Sequence, residues 1–121
     1  MSEIKKTEPI KFFENEEAKQ RGFAVFDKSW DSVKINMSFY DDVIEHDIYK
    51  EAEKITCPTL IFHGDKDMVV PFEQSEKLFD HLKMKDKKLE IIGGADHCYY
   101  NSPTLHVATD LLIGWFNKYL Q

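Results

Sequence analysis

Residues 55–79 read ITCPTLIFHGDKDMVVPFEQSEKLF, and residues 90–100 read EIIGGADHCYY. Between Pro58 and Gly64 lies a short, nearly continuous apolar run, Thr59 to His63. A run of that length without polar alternation predicts a strand covered on both faces, as in a parallel sheet. Phe72, Leu78, Phe79 and Leu82 then recur at helical spacing over 71–83, with Pro71 suited to a first turn. Lys88 to Ile92 reads as a second strand. Ser102 is placed to cap a last helix with Pro103 at its first position, and Leu105, Ala108, Leu112, Trp115 and Tyr119 form its apolar stripe. Strand, helix, strand, helix with short connections is a βαβ unit with a covering helix, and its crossover is right-handed. The fold class is α/β.

Working outward, the first half has another texture. Phe12 to Arg21 is rich in helix formers and stops at Gly22, a natural C-cap. Gly22 to Phe26 reads as a strand. From Ser32 to Phe39 the pattern alternates, with Val33, Ile35, Met37 and Phe39 on one face, so a half-buried strand and a loose hairpin through DKSWD are predicted. A polar helix over 42–55 follows. Two segments result: 1–55, a helix, hairpin and cap-like stretch whose first eleven residues are frayed, and 56–121, the α/β part.

Composition excludes several classes. The chain has 121 residues with 16 Lys+Arg against 22 Asp+Glu, a formal net charge of -6. That balance opposes nucleic-acid binding, which needs a basic face for phosphates. A hydrophobic fraction of 42% with nine Phe supports a packed core rather than disorder. No apolar run reaches the roughly 20 residues of a bilayer span, and the N-terminus lacks a signal-peptide apolar region. The two cysteines, Cys57 and Cys98, match no zinc spacing, so a reduced, cytoplasmic chain without membrane attachment is the expectation.

Two loops at the C-terminal ends of the parallel strands carry the chemistry-bearing residues, on the sheet edge where open α/β sheets place ligands. One is His63-Gly64-Asp65-Lys66-Asp67-Met68-Val69-Val70-Pro71; the other is Gly93-Gly94-Ala95-Asp96-His97-Cys98. The pattern Pro-x-Leu-x-x-x-Gly-x-x-Asp-x-x-Val-Pro, followed about 30 residues on by Gly-x-x-His, resembles the C-terminal portion of the α/β-hydrolases. It is most similar to serine esterases of the cinnamoyl/feruloyl-esterase and monoacylglycerol-lipase kind. The resemblance covers 55–121 closely, while 20–55 resembles more loosely the cap that precedes the seventh strand.

That resemblance implies catalytic roles for Asp67 as the acid and His97 as the histidine of a Ser-Asp-His triad, with no cofactor and no metal. The histidine would take a proton from a serine hydroxyl while the carboxylate fixes its tautomer. It implies a small ester as substrate. The Gly-x-Ser-x-Gly nucleophile elbow does not occur, since none of Gly22, Gly64, Gly93, Gly94 and Gly114 brackets a serine. The chain therefore reads as about the last half of a hydrolase, from a split gene, a truncation or an isolated domain. Its partner would be a complementary N-terminal half or a second copy in a homodimer. The alternative is an inactive remnant serving as an interaction or dimerising module.

Other residues have plainer readings. Asp65 is a turn residue bonding local amides. His63, Asp65 and Asp67 form an H-x-D-x-D run that fits no calcium loop. Ser75 lies in a helix and Ser102 is a cap, so neither offers a nucleophile's strained turn. Cys98 is expected as a buried structural thiol. Tyr99 and Tyr100 either line an acyl pocket or pack on the last helix, and Trp30 is either a lid residue or a loop aromatic.

Overall fold

A computed structural model describes residues 11–28 and 31–120. The expected fraying of 1–11, apart from Lys11, and the role of Trp30 lie outside the described residues. The chain forms two compact units, 1–47 and 48–121.

In the first unit, helix α1 spans Glu16–Arg21. It starts later than the run of helix formers because the Asn15 side chain accepts from Glu17 N–H at 2.7 Å and caps it. It ends at Gly22, whose left-handed φ of 78° suits glycine at this C-cap. Strands β1 (Phe23–Lys28) and β2 (Asp31–Asn36) pair antiparallel, with Phe23 opposite Asn36 and Lys28 opposite Asp31. Their core is Phe13, Ala18 and Ala24, packed by Phe26, Ile35, Met37 and Tyr40.

The alternation to Phe39 misleads. β2 stops at Asn36, and helix α2 occupies Met37–Glu45. Helical spacing carries both Met37 and Tyr40 onto the Phe13 cluster, and Tyr40 stacks on Phe13 with centroids 5.5 Å apart. Continuing the strand would have kept Met37 and Phe39 together, whereas Phe39 is exposed. The polar helix predicted over 42–55 is also two pieces. α2 ends at His46, which is extended, and a five-residue helix α3 follows at Ile48–Ala52. Tyr49 and Ala52 of α3 are buried, and α3 packs on helix α4 (Phe72–His81) within the second unit.

In the second unit, β3 (Thr59–Gly64) and β4 (Lys87–Ile92) run parallel in the register Thr59 to Lys87 through Gly64 to Ile92. The hairpin forms its own two-stranded sheet and does not extend this one. Helix α5 spans Ser102–Tyr119. Phe62 and Ile92 pack against Ala108 and Leu111 of α5, while His63 meets Phe72 and Ser75 of α4, so the helices cover opposite faces. Thr59 to Phe62 are nevertheless only half-buried, less than a doubly covered strand implies. The reason is that β3 has a paired neighbour on one side alone among the described residues. The N-cap of α5 is Asn101, so Ser102 is its first residue rather than its cap. Its inward face starts at buried Thr104, and Leu105 is exposed. Lys87 closes α4 by donating from Nζ to the carbonyls of Phe79 (2.7 Å) and Leu82 (2.8 Å).

Gly64 ends β3 where the two loops meet. A Cβ there would lie 2.2 Å from the carbonyl oxygen of Ala95, which is itself fully buried. Gly64→Ala is therefore expected to cost at least about 2 kcal/mol of stability, because backbone must move to admit one methyl. Gly93→Ala meets nothing closer than 4.0 Å and is expected to stay within about 0.5 kcal/mol of the parent. Denaturant unfolding of both variants checks this, and equal effects would contradict it.

Candidate active site

Hydrogen bonds other than those of Asp67 and His97 tie the two loops together. Asp65 N–H donates to Ile92 O (3.2 Å) and Lys66 N–H to Ala95 O (2.9 Å), and Gly94 N–H donates to Asp65 Oδ1 at 2.7 Å. Asp65 thus bonds an amide 29 residues away rather than the local amides expected of it. Its reach is a product of the parallel register, which sets Gly64 opposite Ile92.

Asp67 makes the local turn instead. Its Oδ1 accepts from the N–H groups of Val69 (2.8 Å) and Val70 (2.9 Å). Its Oδ2 lies 2.9 Å from His97 Nδ1. The Asp67 side chain is 7% exposed and that of His97 46%. Burial pushes the Asp67 carboxyl upward. The Val70 amide, the His97 ring and the Val69 amide together outweigh it and bring its pKa down to about 2. The carboxylate is therefore ionised near neutrality and can only accept, so the bridging proton belongs to His97 Nδ1. His97 Nε2 is left as the basic nitrogen.

A cavity of about 210 Å³ is lined by Phe62, His63, Asp67, Val70, His97 and Tyr99. Tyr99 holds a left-handed φ of 55°, uncommon for an aromatic residue. Its ring packs edge-on against Phe62 at 5.7 Å, and its hydroxyl makes a long 3.5 Å bond to Phe62 O. Burial, then the Asp67 charge, raise its pKa. Tyr99 thus lines the cavity, while Tyr100 is 85% exposed. Cys98 is exposed, against the buried thiol expected. The reason is the tight loop that Asp96 Oδ1 organises by accepting from Cys98 N–H (3.0 Å) and Tyr100 N–H (3.2 Å), which holds Cys98 at the surface beside exposed Tyr100. Ser75 Oγ is engaged with His63 Nδ1 at 2.7 Å, and Ser102 starts α5. Sequence reading missed His63 as a neighbour of Asp67. The available signal was the i,i+4 spacing of H-x-D-x-D across a turn.

The family described as "Serine aminopeptidase, S33" matches residues 12–104. The chain belongs to this family. The monoacylglycerol lipase of Mycolicibacterium smegmatis is 31% identical over 71 residues, 59% of this chain and 25% of that one. Among solved structures, the esterase domain of a Rhodothermus marinus protein superposes with a TM-score of 0.67 at 24% identity, covering 83% of this chain and 41% of its own. The monoacylglycerol lipase of Paleococcus ferrophilus gives 0.57 at 31% identity, covering 70% and 34%. The α/β-hydrolase fold implied by the two loops is thus the fold of this S33 member. The chain spans between a quarter and about two-fifths of the length of these relatives.

The Asp67 carboxyl is held below its ordinary 3.8 in the folded state. A depressed carboxyl stabilises the fold above its unfolded value and loses that contribution as pH falls through its folded one. Asp67→Asn is expected to lower stability by about 1–2 kcal/mol at pH 6. The gap to the parent should close between about pH 4 and pH 2. Denaturation midpoints across that range check the sign, and a gap that widens on acidification would contradict it.

Proposed function

We propose that this chain supplies the acid and the general base of a carboxylic-ester hydrolase, Asp67 and His97, and that a serine nucleophile and its oxyanion donors come from residues outside this sequence. The observation that carries the reading is the Asp67 Oδ2 to His97 Nδ1 contact of 2.9 Å beside a cavity, with Oδ1 anchored by two amides. In the reaction, the serine oxygen attacks the ester carbonyl carbon as His97 Nε2 takes its proton. The tetrahedral intermediate expels the alcohol, which leaves with that proton, and an acyl-serine ester remains. Water then attacks the acyl carbon, again deprotonated by His97, and the carboxylic acid leaves as the serine regains its proton. Asp67 keeps the imidazole in the tautomer this requires and stabilises the imidazolium. A small ester as substrate is supported by the esterase and lipase names of the relatives.

A second reading, an interaction module without turnover, is favoured by the side of β3 that has no paired strand among the described residues. A mostly apolar groove of about 480 Å³, with Leu60, Lys88, Leu111, Trp115 and Lys118 in its lining, lies along α5 and shares no lining residue with the cavity at Asp67 and His97. A half-paired parallel strand exposes N–H and C=O groups that invite another chain. The same edge would seat a complementary nucleophile-bearing segment or a second copy of this chain.

Alone, the chain is expected to take no fluorophosphonate label and to hydrolyse an activated aryl ester only in trace, since one missing oxyanion donor already costs about 10²–10³ in rate. Co-expressed with a Gly-x-Ser-x-Gly segment from a family member, it should restore labelling on that serine. His97→Ala or Asp67→Asn should then cut the labelling rate by about 10²–10⁴. Labelling that survives both substitutions would sink the triad reading. Sedimentation at micromolar concentration addresses the module: the isolated chain is expected to run above 14.2 kDa and to give up self-association once the complementary segment binds. A stable monomer alone would remove the second reading.

A further inference from the structure

The His97 side chain is 46% exposed, so neighbours packed on its flanks do little to aim the ring. The aim comes from the backbone, because the torsions of residue 97 fix where its Cα–Cβ bond points and which rotamers it admits. On the N-terminal side the chain is anchored at Ala95. Its carbonyl receives Lys66 N–H at 2.9 Å, and its own N–H donates to Ile92 O at 3.3 Å. On the C-terminal side the anchor is Asp96. Its Oδ1 accepts from Cys98 N–H at 3.0 Å and from Tyr100 N–H at 3.2 Å, and its carbonyl accepts from Tyr99 N–H at 3.4 Å.

Each of these three bonds spans His97. The bond from Cys98 closes a ring through the chain that contains both φ and ψ of residue 97. The bond from Tyr99 makes His97 and Cys98 the central pair of a turn. Tyr99 shows that this loop is held rather than relaxed. Its φ of 55° is one that an aromatic residue keeps only where its surroundings over-determine it. The two amides that Asp96 Oδ1 gathers lie on either side of Tyr99 and supply that constraint. So held, the Tyr99 ring stands edge-on to Phe62 in the wall of the cavity that His97 also lines. Capping of α5 does not account for Asp96. The helix is N-capped at Asn101, and the farthest amide Asp96 reaches is that of Tyr100, short of the unpaired amides of the first turn.

We propose that Asp96 is a positioning residue for His97, its Oδ1 folding residues 96–100 so that the imidazole Nδ1 is carried to Asp67 Oδ2, 2.9 Å away. What the pair is for rests on the triad reading, but the positioning is a property of this chain alone and can be read without a nucleophile.

Nitrogen-15 NMR of the imidazoles in the full chain at neutral pH distinguishes the two ring tautomers. The parent should show His97 protonated on Nδ1. Asp96→Ala removes the acceptor, and the Nδ1–H population of His97 is expected to fall by at least half, with the amide spectrum outside the loop retained. Asp96→Asn keeps an acceptor oxygen in the same turn and should keep the parent's population. Asp96→Ser, a weaker acceptor there, should lower it by less than Asp96→Ala. In Asp96→Ala, adding Tyr99→Gly lets residue 99 take a left-handed φ freely and should recover part of the loss. A loop with a merely structural Asp96 would shift its amide signals and leave the His97 tautomer as it was. An undiminished Nδ1–H population in folded Asp96→Ala, or in Asp96→Ser if Asp96→Ala does not fold, therefore overturns the proposal. So does an equal loss in Asp96→Asn, since charge rather than the turn bonds would then be at work. Either result would leave the triad reading standing, because that reading falls only on the labelling of Asp67→Asn and His97→Ala.

Discussion

The close approach of Gly64 to Ala95 is the constraint on which the site depends. Only a residue without Cβ lets the end of β3 come within contact of the fully buried Ala95 backbone. That contact allows Lys66 and Gly94 to bridge the loops, through Ala95 O and Asp65 Oδ1. With the loops so joined, side chains 30 positions apart, Asp67 and His97, are separated by 2.9 Å. Such a clamp is a sound basis for the pair, because its hydrogen bonds are independent of either of the two side chains it brings together.

On that base the electrostatics follow simply. The carboxylate has three hydrogen-bond donors, two amides on one oxygen and the His97 imidazole on the other. Donors to the charged form outweigh the cost of burial, so the group stays ionised and acts as acceptor. Because the ionised group can only accept, it selects the His97 tautomer with the proton on Nδ1 and a free Nε2. Burial of the carboxylate and exposure of the imidazole divide the work: one group is fixed, and the other faces the cavity.

The first unit follows different rules. Its center is an aromatic cluster in which Phe13 contacts Phe26, Phe39 and Tyr40. Such rings bury large area at modest entropy cost and can settle where strand ends and helix begins. They do so at Met37, where a three-residue spacing onto Phe13 wins over the two-residue spacing that the alternation suggested. Propensity was a weak guide there because the decisive partner is more than 20 residues away in the chain.

Sequence alone sufficed for the parts that local chemistry dictates. Pro58 and the apolar run set β3, helical spacing set α4, and the two loop motifs placed Asp67 and His97 on one sheet edge. Gly22 was legible as a cap because a left-handed residue after a helix is a local requirement. What tertiary structure decided were partners distant in sequence: Asp65 reaching Gly94, Thr104 rather than Leu105 facing the sheet, Cys98 left in solvent, and His63 held between Ser75 and Val70. Each depends on register or on the rotation of one element against another, and a one-dimensional pattern carries neither. Periodicity tells which residues share a face, but only packing tells what that face meets.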